Sequence, residues 1–202
     1  MKYWTTFDNY NFIVDKKMGI CDDIFTFDIE TTSLIKYNDK FYPAVFYDKL
    51  TDDEKELTES YGFMYIWQFG INEQVYYGRT WDEFETFLKK INTLCNSKKI
   101  IYVHNLSFEF QFLRNQFKFK KVFARTMRHI LKCELEYYNF EFRCSLMLSN
   151  VKLAKLSDIY KLPVAKLEGD LDYNVIRTSK TKMTMRELRL LRKWLSCFIL
   201  LY

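Results

Sequence analysis

Apolar positions along the chain follow two rhythms, and where the rhythm changes a new element is expected. Ile24-Phe25-Thr26-Phe27 is β-branched and aromatic, predicting a strand that closes on Asp28-Ile29-Glu30. Phe63 to Phe69 predicts a second strand, Gly70 to Glu73 a tight turn and Gln74 to Tyr77 the hairpin partner. From Thr80 the period lengthens. Trp81, Phe84, Phe87, Leu88 and Ile91 recur at helical spacing behind a Thr80/Glu83 capping box, predicting a helix over 81–94. Lys99 to Val103 is a short apolar run of the kind that forms a central strand. It ends at His104-Asn105, and Ser107 is placed to cap a helix whose face holds Phe108, Phe112 and Leu113. Alternation over Lys118–Arg125, Leu131–Tyr138 and Phe140–Cys144 predicts three further strands, the last two joined by a turn at Tyr138-Asn139. Asn150 is placed to cap a helix carrying Val151, Leu153, Leu156 and Ile159, and a Thr184/Glu187 capping box opens a last helix.

Two stretches break these rhythms. Residues 1–22 predict an arm or a short leading strand, and residues 36–62, with Pro43 and the run Asp52-Asp53-Glu54, an insertion or lid. The remaining order of strand, hairpin, helix, strand and helix is an α/β arrangement around a mixed sheet flanked by helices, and it suggests an RNase H-like fold. Its length of 202 residues and 49% apolar content fit one globular domain with a sizeable core. The balance of 31 Lys and Arg against 26 Asp and Glu gives a net charge of +5, compatible with a polyanionic partner without identifying one. Five cysteines without a CxxC pair and only two histidines argue against zinc and for reduced thiols in a cytoplasmic setting. No signal-peptide core or membrane-length apolar run is present, so a soluble monomer with no membrane partner is expected.

The chemistry concentrates at Asp28 and Glu30. Two apart on a strand, they point to the same face. Neighbouring carboxylates repel unless a cation neutralises them, and a hard, oxygen-ligated ion such as Mg²⁺ or Mn²⁺ is the natural partner. A lone DxE more often marks simple alternation on an edge strand, so the pair needs company to mean more.

That company is Tyr102-Val103-His104-Asn105-Leu106-Ser107-Phe108-Glu109-Phe110-Gln111-Phe112-Leu113. With Phe27-Asp28-Ile29-Glu30-Thr31-Thr32 it resembles the first two exonuclease motifs of family B DNA polymerases, most closely the protein-primed branch of small tailed phages and linear plasmids. Ser145-Leu146, Lys155-Leu156, Leu162-Pro163 and Gly169-Asp170-Leu171-Asp172-Tyr173 are similar to the same branch in the same order. The resemblance implies a DEDD-type 3′–5′ proofreading exonuclease domain used in DNA replication, with two divalent metal ions held by acids. It implies Asp28, Glu30 and Glu109 as metal ligands and catalytic residues, Glu109 standing where the family usually has Asp. Lys166 lies near the family's catalytic lysine. Thr31, Asn105, Phe108, Ser145, Leu146 and Tyr173 are the implied contacts to the 3′ end of single-stranded DNA, residue types suited to stacking bases and to bonding sugar and phosphate. A terminal priming protein is the other implied partner. Singly, Phe108 reads equally as core, Asn105 as a helix cap and Ser145 as a solvent-facing strand residue.

The third motif departs from the family. Its tyrosine and aspartate, four apart on the final helix, fall at Leu190 and Trp194, so the fourth ligand has no counterpart. After Arg192 the resemblance stops, and no palm, fingers or thumb motif follows. The expectation is one exonuclease-like domain over 1–202, an N-terminal polymerase fragment or frameshifted product with impaired activity. The alternative is a non-catalytic single-stranded DNA-binding module.

Overall fold

Two long antiparallel strands form the spine of the molecule, Phe25–Tyr37 (β4) and Glu59–Ile71 (β6), paired from Phe25↔Ile71 to Lys36↔Glu59. The computed structural model describes residues 1–126, 128–149, 159, 171–172 and 174–199. Both strands outrun the sequence expectation, which closed the first at Glu30 and opened the second at Phe63. Thr31-Thr32-Ser33-Leu34-Ile35 is rich in β-branched residues and keeps pairing, and a register shift between Glu30 and Thr31 absorbs the irregularity. The stretch 36–62 therefore begins and ends inside the sheet. It also contributes Lys40–Pro43 (β5), which pairs with β4, a 3-10 turn at Ala44–Lys49 and a short helix Asp52–Glu56 (α1).

The hairpin loop shrinks to Asn72-Glu73, because Ile71 still pairs with Gln74 and Asn72 accepts the left-handed φ of 49° that the turn needs. Gln74–Gly78 (β7) follows, and the N-terminal Lys2–Tyr3 (β1) lies parallel to it. Val14–Asp15 (β2) and Ile20–Cys21 (β3) make a separate small hairpin.

Trp81–Leu94 (α2) has the expected bounds and its capping box is formed. It buries Phe84, Phe87, Leu88 and Ile91 in a core shared with Phe25, Phe27, Ile29, Trp67 and Phe69 of the spine. Lys99–Val103 (β8) and Phe140–Cys144 (β11) also match their predicted bounds, and they pair parallel to each other. Lys99 is fully buried and closes the C-terminus of α2, its Nζ donating to Ser97 O at 2.8 Å, Asn92 Oδ1 at 3.2 Å and Cys95 O. Phe119–Thr126 (β9) and His129–Leu135 (β10) complete the sheet. β10 stops short of Tyr138 because Tyr138 and Asn139 form the turn, at φ 73° and 52°. The strand order is β1-β7-β6-β4-β8-β11-β10-β9, with β5 on β4.

Leu106–Leu113 (α3) starts from Asn105, not from Ser107 as expected. Asn105 takes the left-handed conformation, φ 66° and ψ 51°, that Asn tolerates best among non-glycine residues. The Ser107 hydroxyl instead accepts the backbone N–H of Ile130 at 2.9 Å. Leu146–Ser149 (α4) follows β11, and Met185–Ile199 (α5) opens with the expected bonds between Thr184 and Glu187. α5 packs on β4, β6 and β7, burying Leu191 with Tyr65 and Ile66. The helix expected after Asn150 lies outside the described residues apart from Ile159, which is helical. Among the described residues no helix is long and apolar enough to cross a membrane.

Candidate active site

The end of β8 makes room for the site. β8 pairs with β4 only at Phe25↔Ile101 and Thr26↔Tyr102, and β5 rejoins β4 only at Leu34. Among the described residues, β4 from Phe27 to Ser33 thus has no strand on that side. The chain leaves β8 at His104-Asn105 and turns into α3, whose first turn carries Glu109. Asp28 is half-buried, Glu30 is 8% exposed and Glu109 only 3%. Burial pushes the Glu109 carboxyl well above the usual range, and the charge of Asp28, with a smaller share from Glu30, pushes it further. The three carboxylates therefore share one electrostatic field.

Three buried oxygens without hydrogen-bond partners belong to Glu109 itself or to β4 and β6 next to Asp28. Glu109 Oε2, Thr26 Oγ1 and Gln68 Oε1 are buried and unbonded. Thr26 stands two residues before Asp28, and Gln68 lies directly across from it, its Nε2 donating to Asp28 Oδ2 at 3.5 Å. Buried oxygens left unbonded beside carboxylates are what a hard cation or ordered water satisfies. The donors are all oxygens, the type that Mg²⁺ and Mn²⁺ take. Among the described residues no three His, Cys, Asp or Glu side chains are drawn close enough to form a ready metal shell. The carboxylates lie within reach of one another's charge, not within one coordination sphere.

The other candidates divide by exposure. Asn105 and Phe108 are both exposed at the start of α3, Phe108 at 43%, with its ring 5.4 Å from that of Phe112. The Asn105 side chain makes no capping bond to the helix. Thr31 is half-exposed on β4, one residue past Glu30. Ser145 is 2% exposed, its N–H donating to Val103 O at 3.0 Å and its Oγ lying 3.3 Å from His104 Nδ1. Leu146 is half-buried against the main core. Lys166 and Tyr173 lie outside the described residues.

Sequence reasoning missed three residues. Gln68 was legible in principle, since pairing the two predicted strands brings it opposite Asp28. His104, which meets Ser145, and Arg177 carry no local signal. Arg177 is buried, and its backbone clasps Thr32: Thr32 Oγ1 donates to Arg177 O at 2.6 Å and accepts its N–H at 3.1 Å. The Arg177 guanidinium binds Glu187 at the start of α5 at 2.9 Å, and Arg79 holds Thr178 O and Thr181 O. This strap ties α5 to the strand that carries Asp28 and Glu30. On α5, Leu190 is 9% exposed, an apolar side chain where the resemblance calls for a tyrosine.

No protein-family model and no curated protein matches the sequence. Solved structures do. Phi29 DNA polymerase with primer-template DNA and incoming nucleotides matches with a TM-score of 0.62 at 19% identity, over 88% of this chain and 29% of the polymerase. The same polymerase with single-stranded DNA matches with a TM-score of 0.60 at 17% identity, over 88% and 30%. This is the fold of part of Phi29 DNA polymerase. The chain spans about 30% of that polymerase's length, and at these identities the likeness carries the mixed sheet with its flanking helices. The Phi29 likeness and the motif resemblance, drawn from different properties of the chain, agree.

Proposed function

We propose that the chain is an RNase H-like 3′–5′ exonuclease domain of the protein-primed polymerase type, acting on the 3′ end of single-stranded DNA. The observation that carries this reading is Glu109, a buried carboxylate with an unbonded oxygen, aimed into the field of Asp28 and Glu30. Asp28, Glu30 and Glu109 are the proposed metal ligands. Divalent cations bound there would supply the charge that phosphodiester hydrolysis needs at the attacking and leaving oxygens. Phe108 offers an exposed ring for a terminal base, and Asn105 and Thr31 offer polar groups for sugar and phosphate. The strap through Arg177 fixes the β4 segment beside Glu30. Lys166, Ser145, Leu146 and Tyr173 complete the set by resemblance, and a terminal priming protein is its implied partner.

The buried Leu190, where a water-positioning tyrosine is expected, implies reduced turnover. It also favours the second reading, a single-stranded DNA-binding module without catalysis. Calorimetric titration with Mn²⁺ tests the metal site. The unmodified chain should bind with measurable heat, and Asp28→Ala should lose that binding. Unchanged affinity in the variant would move the site elsewhere.

A further inference from the structure

The charge of the molecule is unevenly placed. Between Phe110 and Cys133 the chain carries seven Lys and Arg and no Asp or Glu. Outside that segment 24 Lys and Arg face 26 Asp and Glu, so the whole positive excess resides in it. The segment folds largely as the hairpin of β9 and β10, and every described residue from Lys120 to Thr126 is exposed. Phe123 is 63% exposed among these cations. A cavity of about 640 Å³ runs beside the hairpin, touching Lys121, Phe123 and Lys132. The acids in its wall, Glu134 and Glu141, are already neutralised by Lys98, Lys120 and Arg143. Among the described residues Lys121, Arg125 and Arg128 enter no ion pair.

Topology brings this hairpin to the active site. β11 and β8 are parallel, and β10 is antiparallel to β11, so the start of β10 sits at the same end of the sheet as the end of β8, where His104 follows Val103. Ile130, one residue after the hairpin turn, donates its N–H to Ser107, the neighbour of Phe108. At ~4.8 Å per strand the hairpin's inner strand lies about 14 Å from β4.

We propose that the β9–β10 hairpin is a second nucleic-acid-binding element, which grips the sugar-phosphate backbone of single-stranded DNA whose 3′ end reaches the carboxylates. It rests on the reading of Asp28, Glu30 and Glu109 as a 3′-end site and extends that site along the strand. Edge strands commonly carry a lysine or two to prevent aggregation. Five of the seven cations, Lys120, Lys121, Arg125, Arg128 and Lys132, lie on the hairpin, two of them arginines flanking the tip, with the exposed Phe123 ring among them, which exceeds that need and matches backbone binding with stacking.

The test is fluorescence anisotropy with a labelled 20-nucleotide oligo-dT in EDTA, across a salt series. The chain is compared with Lys121→Gln/Arg125→Gln/Arg128→Gln and with a control, Lys16→Gln/Lys17→Gln/Lys49→Gln, after both show unchanged circular dichroism. The hairpin variant should bind about tenfold or more weakly, with the slope of log affinity against log salt reduced by about 2 for three lost phosphate contacts. The control should stay within about twofold. Equal losses in both variants, or none in the hairpin variant, would overturn the assignment. The same series is run on a blunt 20-base-pair duplex, and a loss confined to that duplex would overturn the single-strand assignment. Failure of the 3′-end reading shows separately, as Phe108→Ala binding and Mn²⁺-dependent trimming that match the unmodified chain and Asp28→Ala respectively.

Discussion

Glu109 is the residue on which the site turns. A buried carboxylate whose pKa is raised takes up a proton more readily in the folded chain than in the unfolded one. Without metal, its contribution to stability is fully present below the unfolded value of about 4.3 and is lost as pH rises toward the raised folded value. Glu109→Gln is therefore expected to raise the urea midpoint at pH 7 by the equivalent of ~1–3 kcal/mol, and to change it little at pH 4. Urea titrations at the two pH values check this, and a variant less stable at pH 7 contradicts it. Mn²⁺ should stabilise the unmodified chain and leave Glu109→Gln less affected. Asp28 and Glu30 were legible as a same-face pair from their spacing alone. Glu109 was legible only through the motif it shares with a known family. Nothing local marks Arg177, because its partner Thr32 lies 145 residues away.

Elements were legible where one period governs and a cap punctuates it. α2, β8 and β11 took their predicted bounds because a capping box, a short apolar run and a regular alternation, respectively, mark them. β4 and β6 ran longer than expected because the polar threonines and serine beyond Glu30 pair across the hairpin, a non-local gain that a strand-by-strand reading does not see. The junction of α2 with β8 offers a test at this scale. Lys99 bonds the carbonyls that the helix end leaves open, and burial lowers its pKa to about 8. Between pH 8 and about 10.4 the folded chain holds fewer protons there than the unfolded chain, so this residue adds stability as pH rises through that window. Lys99→Met keeps the apolar stem but orphans the carbonyls, and should cost about 1–3 kcal/mol at pH 7. Denaturant unfolding at pH 7 and pH 9.5 should show the rise in the unmodified chain and its absence in the variant.

At the scale of the molecule, the sheet is covered by α2 and α3 through one core and by α5 through a smaller one. Leu191 is fully buried in the smaller cluster, and Leu191→Ala should cost about 2–5 kcal/mol. Because Arg177 and Glu187 join α5 to β4, loosening α5 should also weaken Mn²⁺ binding, measurable by calorimetry beside thermal unfolding. The α/β class and the sheet with flanking helices were legible from the order of elements. The strap over β4 was not, since its residues show no periodicity. The central proposal is that the carboxylates act at a 3′ end. The deciding measurement is digestion of a 3′-labelled single-stranded oligonucleotide with Mn²⁺ by the unmodified chain, Asp28→Ala and Trp194→Asp. The prediction is slow trimming from the 3′ end by the unmodified chain, loss of at least about 100-fold in Asp28→Ala, and faster trimming in Trp194→Asp. Trimming that persists in Asp28→Ala, or no trimming by either the unmodified chain or Trp194→Asp, would contradict it.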